Sequence, residues 1–185
     1  MDIKKIPRRA FLDTCVVNFI LEYSDQIHDN WPLPQDVNTR TSEDIHALRK
    51  IFIAGSRGGI QFAVSPFTYS EIAGTQDSGK LSHLHTWFQE LWQYWRSVVD
   101  SYNDLPNFIE ADDIRVQLLI SEYARVLPDL SDRILLCDAL VYRCDLFCTR
   151  DWNTILKHRK ELSGLPIKFV TPSEFWALIQ PFAFL

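Results

Sequence analysis

The chain has 185 residues, of which 46% are hydrophobic and 13% aromatic, and its formal net charge is −5. This length suffices to bury one full core, so we expect a single domain over residues 1–185. The acidic balance argues against a broadly basic nucleic-acid-binding protein. No apolar run approaches the roughly 20 residues of a transmembrane helix, and no apolar signal core follows the basic N-terminus, so we expect a cytoplasmic protein without membrane contact.

The N-terminal half of the chain alternates between strands and helices. Its apolar runs predict strands at 8–13 and 59–65. Helical periodicity predicts a first helix at 14–23 and a third helix from Pro66 onward. Between them, a second helix should run from a cap at Thr41 or Ser42 to the glycines at 55–59. The stretch 24–38 contains two prolines and many turn formers, which predicts a loop.

The C-terminal half begins with a long aromatic helix over 81–102. Its apolar side chains fall mainly on one stripe, which is typical of a helix packed on the core: Leu84, Phe88, Leu91, Trp92, Trp95 and Val99. Trp87 and Tyr94 lie off this stripe and leave room for a homodimer or another partner surface. The remaining pattern predicts helices at 111–126, 152–162 and 172–179, and strands at 145–149 and 167–171. A further helix should begin at Asp132, with Ser131 or Asp129 as its cap.

Alternation of strands and helices is typical of βαβ units. We therefore expect an α/β fold, a three-layer α/β/α arrangement around a central, mainly parallel sheet of about four or five strands. The four cysteines, Cys15, Cys137, Cys144 and Cys148, form no CxxC pair or zinc-type cluster, so we expect reduced packing residues.

Four acids stand out by their positions relative to these elements. Asp13 ends the first strand, Glu71 follows the second, Asp132 opens a helix, and Asp151 follows a later strand. Parallel strands place their carboxyl ends at one edge of a sheet, where open α/β sheets usually bind ligands. Two carboxylates 4 Å apart repel by about 4 kcal/mol at an effective dielectric near 20, so such a cluster requires protonation or divalent cations. Oxygen ligands of this kind suit Mg²⁺ or Mn²⁺.

Each acid also has an ordinary structural interpretation. Asp13, Asp132 and Asp151 could cap the helices that they precede or open, and Glu71 could be a surface residue. A basic rim around the acids could come from arginines and lysines in the same segments: Arg8, Arg9, Arg150, Lys157, Arg159 and Lys160.

Three segments in order, FLDTCVVNF, SPFTYSEIAGT and DRILLCDALVYRCDLFCTRDW, resemble the PIN domain, a family of metal-dependent ribonucleases that includes toxins of bacterial toxin–antitoxin pairs. The resemblance covers residues 8–171, with Asp151 lying 19 positions after Asp132. It implies a PIN-like fold with Asp13, Glu71, Asp132 and Asp151 as both the catalytic and the metal-binding set. Thr14 and Thr149 match polar residues that flank these acids, and Asn153 matches a further polar ligand.

Asp138 is a reserve candidate for the same set. It lies about 240° around the helix from Asp132, so the two cannot face one ion without distortion. The segments 24–40 and 72–131, including the Trp-rich helix, depart from the smallest family members.

The expected activity is hydrolysis of RNA phosphodiester bonds with Mg²⁺ or Mn²⁺, by an endoribonuclease whose partners would be RNA and, for a toxin, an antitoxin protein. One alternative is a catalytically inactive interaction module that docks through the aromatic helix 81–102. Another is a phosphatase of the haloacid dehalogenase type, but Cys15 stands where that family has its second Asp.

Overall fold

The computed structural model describes residues 6–74 and 81–183, with only the backbone described at 73, 74 and 81–85. Within these residues, four short parallel strands form one sheet in the order β2-β1-β3-β4. They are β1 Arg9–Leu12, β2 Gln61–Ala63, β3 Leu146–Cys148 and β4 Lys168–Val170. All four predicted strands are confirmed, each shorter at its ends than the sequence indicated.

Helices surround the sheet and connect its strands in the described part of the chain. They are α1 Thr14–Glu22, α2 Ser24–His28, α3 Thr39–Gly58, α4 Pro66–Gly74, α5 Leu81–Ser101, α6 Phe108–Leu119, α7 Glu122–Arg125, α8 Leu130–Val141, α9 Ile155–His158 and α10 Pro172–Ile179. Helix α3 packs along α10, while α8 packs against α4, α6 and α7. The chain is thus an α/β protein with a central, all-parallel sheet, as the alternation of elements predicted.

The core is centred on the two inner strands, β1 and β3. Phe11, Phe147 and Phe169 occupy paired positions on three adjacent strands. Their ring centroids lie 5.1 Å apart between Phe11 and Phe147 and 5.5 Å apart between Phe147 and Phe169. Burying a side chain of this size stabilises a protein by about 2–3 kcal/mol, so this row of rings holds the strands in register.

The segment between the first two long helices differs from its predicted loop. It contains the short helix α2, and α3 begins at Thr39 because Asn38, rather than Thr41 or Ser42, is its cap. Asn38 has an extended backbone, and its side-chain oxygen accepts a hydrogen bond from the Thr41 N–H at 2.9 Å. This earlier start brings Arg40 into the first turn of α3.

The glycines near the end of α3 have different roles. Gly55 lies inside the helix, where a Cβ would come within 2.8 Å of the Phe62 ring, so the missing side chain permits this close approach. The helix ends at Gly59, whose φ of +69° is costly for residues with a Cβ.

The helix predicted at 111–126 is divided into two. Helix α6 begins earlier, because Asn107 and Glu110 form a reciprocal capping box at its N-terminus. Ser121, which has an extended backbone, separates α6 from α7.

The core face of the aromatic helix α5 is confirmed for Phe88, Trp95 and Val99, which are all buried. Leu84 lies outside the described side chains. Trp87, predicted off the stripe, packs against Phe52 with ring centroids 6.3 Å apart. Neither α5 nor any other helix in the described residues is long and apolar enough to span a membrane.

Candidate functional site

The carboxyl ends of β1 and β3 lie side by side at one edge of the sheet. Leu12 pairs with Cys148, and the Asp13 N–H donates a hydrogen bond to the Cys148 carbonyl at 3.1 Å. The chain leaves both strands immediately after this point, with Asp13 on one side and Thr149 on the other. The parallel pairing of two central strands therefore brings Asp13 and Thr149, which lies two residues before Asp151, to one edge of the sheet.

Asp13 is the most buried of the predicted acids, with 3% of its surface exposed. The Thr149 hydroxyl donates to its Oδ2 at 2.5 Å, and the Cys15 thiol donates to the same oxygen at 2.9 Å. No residue in the described ranges donates to Oδ1. Asp13 stands at the cap position of α1 without making a side-chain cap hydrogen bond, so helix capping does not account for it.

Burial raises the pKa of Asp13 from 3.8 to about 6. The hydrogen bonds from Cys15 and Thr149 favour the charged form and lower the pKa, while the charges of Asp132 and Asp151 raise it. These two acids therefore lie close enough to act on Asp13. A carboxylate buried here is costly unless a positive charge compensates it.

Asp151 occupies a tight turn after β3. Its Oδ1 accepts hydrogen bonds from the Asn153 and Thr154 N–H groups at 2.9 and 3.0 Å, and its Oδ2 accepts from the Thr154 hydroxyl. This turn replaces the first part of the helix predicted at 152–162, so only the short helix α9 and a 3₁₀ turn at Glu161–Gly164 form there. Asn153 takes part through its backbone, and its side chain is exposed.

Asp132 lies in the first turn of α8, which begins at Leu130 rather than at the acid itself. Asp129 occupies the cap position but makes no side-chain cap hydrogen bond. Burial raises the pKa of Asp132, a hydrogen bond from Thr154 lowers it, and the charges of Asp151, Asp129 and Glu71 raise it. Thr154 thus lies close to two of the four acids.

Glu71 reaches the same edge from α4. The Thr14 hydroxyl donates to Glu71 Oε2 at 2.8 Å, and Thr14 lies 2.9 Å from the hydroxyl of the buried Thr68. Since Thr14 gives its proton to Glu71, Thr68 is the donor in the second contact. These hydroxyls orient Glu71, although its side chain is exposed.

The charges of the four predicted acids thus act on one another. Asp13 responds to Asp132 and Asp151, and Asp132 responds to Asp151 and Glu71. The flanking Thr14 and Thr149 contact Glu71 and Asp13 respectively, as polar partners of the acids.

Asp138, the reserve candidate, belongs to a different cluster. Its carboxylate accepts a hydrogen bond from Arg115 Nη1 at 2.8 Å and another from the buried Ser65 hydroxyl. Burial raises the pKa of Asp138, whereas Ser65 and Arg115 lower it. Asp138 is therefore the buried partner of an ion pair, and it faces a different direction on α8 from Asp132, as the helical spacing indicated.

Sequence reasoning missed the roles of Cys15, Thr68 and Thr154. All four cysteines are free thiols as expected, but Cys15 is more than a packing residue because it contacts Asp13. Its position two residues after Asp13 was the available signal. Thr154 had a similar local signal, since it stands three residues after Asp151, a spacing typical of Asp-initiated turns.

The basic rim that the sequence allows would include four arginines and two lysines. Its arginines are held by carboxylates: Arg150 by Asp44 at 2.9 Å, Arg159 by Glu174 at 2.9 Å, and Arg8 and Arg9 by Asp104 at 3.6 and 3.5 Å. Arg150 also stacks over Phe19, with its guanidinium carbon 3.6 Å from the ring centroid. Its backbone N–H donates to the Cys15 sulfur at 3.1 Å, so Arg150 contacts the residue that donates to Asp13.

Replacing Cys15 with Ala is expected to raise the pKa of Asp13 further above about 6. The change removes one of the two hydrogen bonds that stabilise its charged form. Carboxyl ¹³C chemical shifts followed through a pH titration would measure this, with the Asp13 signal assigned by its absence in Asp13→Asn. Cys15→Ser keeps a donor and should shift the pKa less; a lower pKa in Cys15→Ala would contradict the assignment.

The donor set fits a hard divalent cation in its chemistry. Carboxylate and hydroxyl oxygens are the ligands that Mg²⁺ and Mn²⁺ prefer, and burial, the main cause of the raised pKa of Asp13, disfavours its charged form unless a cation compensates it. Among the described residues, no three His, Cys, Asp or Glu side chains already converge as a finished ligand set. The residues thus fit a divalent cation in the type of their donor atoms and in their charge.

The side chains at this edge define what it can do chemically. Carboxylates can hold a cation or accept a proton, and the neighbouring hydroxyls fix their orientation. The raised pKa of Asp13, about 6, lies near neutral pH, where proton transfer is most useful. Comparison with protein-family models, with curated proteins and with solved structures finds no significant match for this chain.

Proposed function

We propose that the protein is a divalent-metal-dependent ribonuclease of the PIN-domain type, which hydrolyses RNA phosphodiester bonds. The main support is the electrostatic coupling of Asp13, Asp132 and Asp151 at the carboxyl edge of the sheet. The order of the acids along the chain and its resemblance to the PIN family support the same function. Asp13, Glu71, Asp132 and Asp151 would hold Mg²⁺ or Mn²⁺, and such an ion supplies activated water and charge stabilisation for phosphodiester hydrolysis.

The surrounding residues have positioning roles in this proposal. Thr149 and Cys15 fix Asp13 through Oδ2, which leaves Oδ1 as the oxygen directed to a ligand. Thr14 orients Glu71, and the turn at Thr154 orients Asp151. Side chains locked in this way lose little further freedom when a ligand binds, which favours tight and specific binding.

A toxin role is a narrower form of the same proposal. It draws on the resemblance alone, because that family includes toxins of bacterial toxin–antitoxin pairs. An antitoxin protein is the partner that this role would require.

The alternative of an inactive module docking through α5 has weaker support. Its core-facing residues Phe88, Trp95 and Val99 are already buried within the chain. Trp87 packs against Phe52, and Trp92 packs against Phe108 with ring centroids 5.5 Å apart. Of the two residues off the stripe, Trp87 is thus partly used internally, whereas Tyr94 keeps 43% of its surface exposed.

Asp13→Asn and Asp151→Asn are expected to lower metal-dependent RNA cleavage by at least about a hundredfold, because each change removes a charged ligand. Cleavage of a labelled single-stranded RNA in Mn²⁺, Mg²⁺ or EDTA would measure the loss. In parallel, Mn²⁺ should raise the melting temperature of the wild type and leave that of Asp13→Asn unchanged.

Asp113→Asn provides the matched control, since it makes the same chemical change at an exposed position on α6. It should keep both cleavage and stabilisation by Mn²⁺. Cleavage at the wild-type rate by Asp13→Asn, or cleavage undiminished in EDTA, would refute the proposal.

A further inference from the structure

Next to Asp151 in the chain is an exposed indole with an arginine stacked on it. Trp152 directly follows Asp151 and keeps 43% of its surface exposed. The guanidinium carbon of Arg40 lies 4.4 Å from the centroid of the Trp152 ring. Arg40 belongs to the first turn of α3. Its contact with Trp152 therefore joins two segments that are far apart in the sequence, next to Asp151.

The charge of Arg40 is not committed to an acid. Within residues 6–74 and 81–183, no carboxylate lies within ion-pair distance of it. In contrast, Arg150, which directly precedes Asp151 in the sequence, is paired with Asp44. Arg40 is also an exposed residue, so its guanidinium donors are open to a ligand from solution.

This combination has a known physical use in nucleic-acid recognition. Every base has a π-face that stacks on an aromatic ring, and stacking contributes about 1–3 kcal/mol per base when measured by alanine substitution. A guanidinium presents several donors in a planar fork that matches a phosphate. An exposed indole that carries a guanidinium on one of its faces can therefore hold a base by stacking and the adjacent phosphate through the guanidinium donors.

We propose that Arg40 and Trp152 form a stacking platform that receives an unpaired base and the adjacent phosphate of a single-stranded nucleic acid. This inference rests on the proposed function, since it names how substrate is held next to the acids. The platform would offset the repulsion between the acids and the phosphates of a nucleic acid. A cluster of acids in a chain of net charge −5 repels phosphates, and Arg40 supplies a local positive charge where the strand enters.

The platform predicts a preference for single strands. Bases in a duplex are stacked on their neighbours and cannot lie on the indole, so only an unpaired segment gains the contact. Single-stranded RNA and DNA of the same sequence share the π-faces and phosphates on which the platform acts. Both should therefore lose affinity when the platform is removed.

Binding of fluorescein-labelled 12-nucleotide single strands, measured by anisotropy in EDTA, tests the platform without cleavage. Trp152→Ala should weaken binding by about tenfold, as the loss of one stacked base requires, whereas Trp152→Phe should keep most of the affinity. Arg40→Ala should weaken binding and reduce the slope of log K against log salt by about 1, as expected for one lost phosphate contact. Because Arg40 is exposed, this variant tests the platform even if Trp152→Ala folds poorly.

The same helix offers a matched control. The Lys50 ammonium lies 5.5 Å from the ring centroid of Trp176, a second cation–indole pair roughly 15 Å along α3 from Arg40. Lys50→Ala should leave binding unchanged. Equal losses in Lys50→Ala and Arg40→Ala would overturn the platform, because they would show a general charge effect.

Two further outcomes would also overturn it: wild-type affinity in Trp152→Ala, or a labelled duplex bound as tightly as the single strand. The nuclease proposal fails on different measurements. If Asp13→Asn kept full cleavage while Trp152→Ala lost binding, the metal site would be refuted and the platform retained. If Asp13→Asn lost cleavage while Trp152→Ala bound normally, the platform alone would be refuted.

Discussion

Asp13→Asn is expected to be more stable than the wild type at pH 8 by about 3 kcal/mol when no divalent cation is present. The pKa of Asp13 rises from 3.8 to about 6 on folding. Each pKa unit corresponds to about 1.4 kcal/mol, so burying the charged carboxylate costs roughly 3 kcal/mol. Asparagine removes that charge and keeps an acceptor for Thr149 and Cys15. For a domain of this size, the melting temperature should rise by roughly 6–12 °C.

The pH dependence has a definite sign. Between pH 3.8 and about 6, the folded protein holds a proton on Asp13 that the unfolded chain has lost. The contribution of Asp13 to stability is therefore fully present below pH 3.8 and is lost as the pH rises through about 6. Asp13→Asn lacks this titration, so its advantage over the wild type should grow across this interval and vanish near pH 4.

Urea unfolding in EDTA at several pH values between 4 and 8 would measure both the size and the sign of this difference. Asp113→Asn on the exposed face of α6 should show no comparable gain. A wild type as stable as Asp13→Asn at pH 8 would show that the buried carboxylate carries no cost. A cost of this kind at a candidate site is what a trade of stability for function predicts.

Replacing Arg115 with Met is expected to destabilise the protein by about 3 kcal/mol at pH 8, because it leaves Asp138 buried without its partner. The side chain of Asp138 is 2% exposed and that of Arg115 is 19% exposed. Methionine keeps most of the apolar stem of arginine, so the loss reports the charge pair rather than packing. Urea unfolding at pH 5 and pH 8 would measure it.

The pH effect of this change also has a predictable sign. Burial already raises the pKa of Asp138, and Arg115 holds it down, so removing Arg115 raises it further. A raised folded pKa costs stability as the pH rises. The deficit of Arg115→Met should therefore be larger at pH 8 than at pH 5.

This variant also separates the two clusters on α8. If Asp138 only pairs with Arg115, then RNA cleavage by Arg115→Met should stay within a few-fold of the wild type at temperatures where it is folded. Arg125→Met, at an exposed position, controls for the chemical change. A loss of cleavage comparable to that of Asp13→Asn would instead place Asp138 in the acid site.

Much of the candidate site followed from local sequence features. Asp13 and Asp151 come directly after apolar strands, and the carboxyl ends of adjacent parallel strands share an edge. The spacing of Asp132 and Asp138 on one helix indicated that they face different directions. Local periodicity and strand polarity sufficed for these predictions, because both are properties of short segments.

Other features came from local contacts for which the sequence offered several candidates. Asn38 rather than Thr41 caps α3, and the turn after β3 takes the place of a predicted helix because Asp151 binds the Asn153 and Thr154 N–H groups. Several adjacent polar residues could have made such caps and turns.

The sequence by itself determined an alternating α/β chain, its parallel strands, and acids at the ends of those strands. Only the tertiary structure decided that Thr149 holds Asp13, that Arg115 takes Asp138, and that Arg40 lies on Trp152. The physical reason is the range of the interactions. Strand and helix patterns arise between near neighbours, whereas these pairings join side chains whose proximity depends on how the whole sheet and its helices pack.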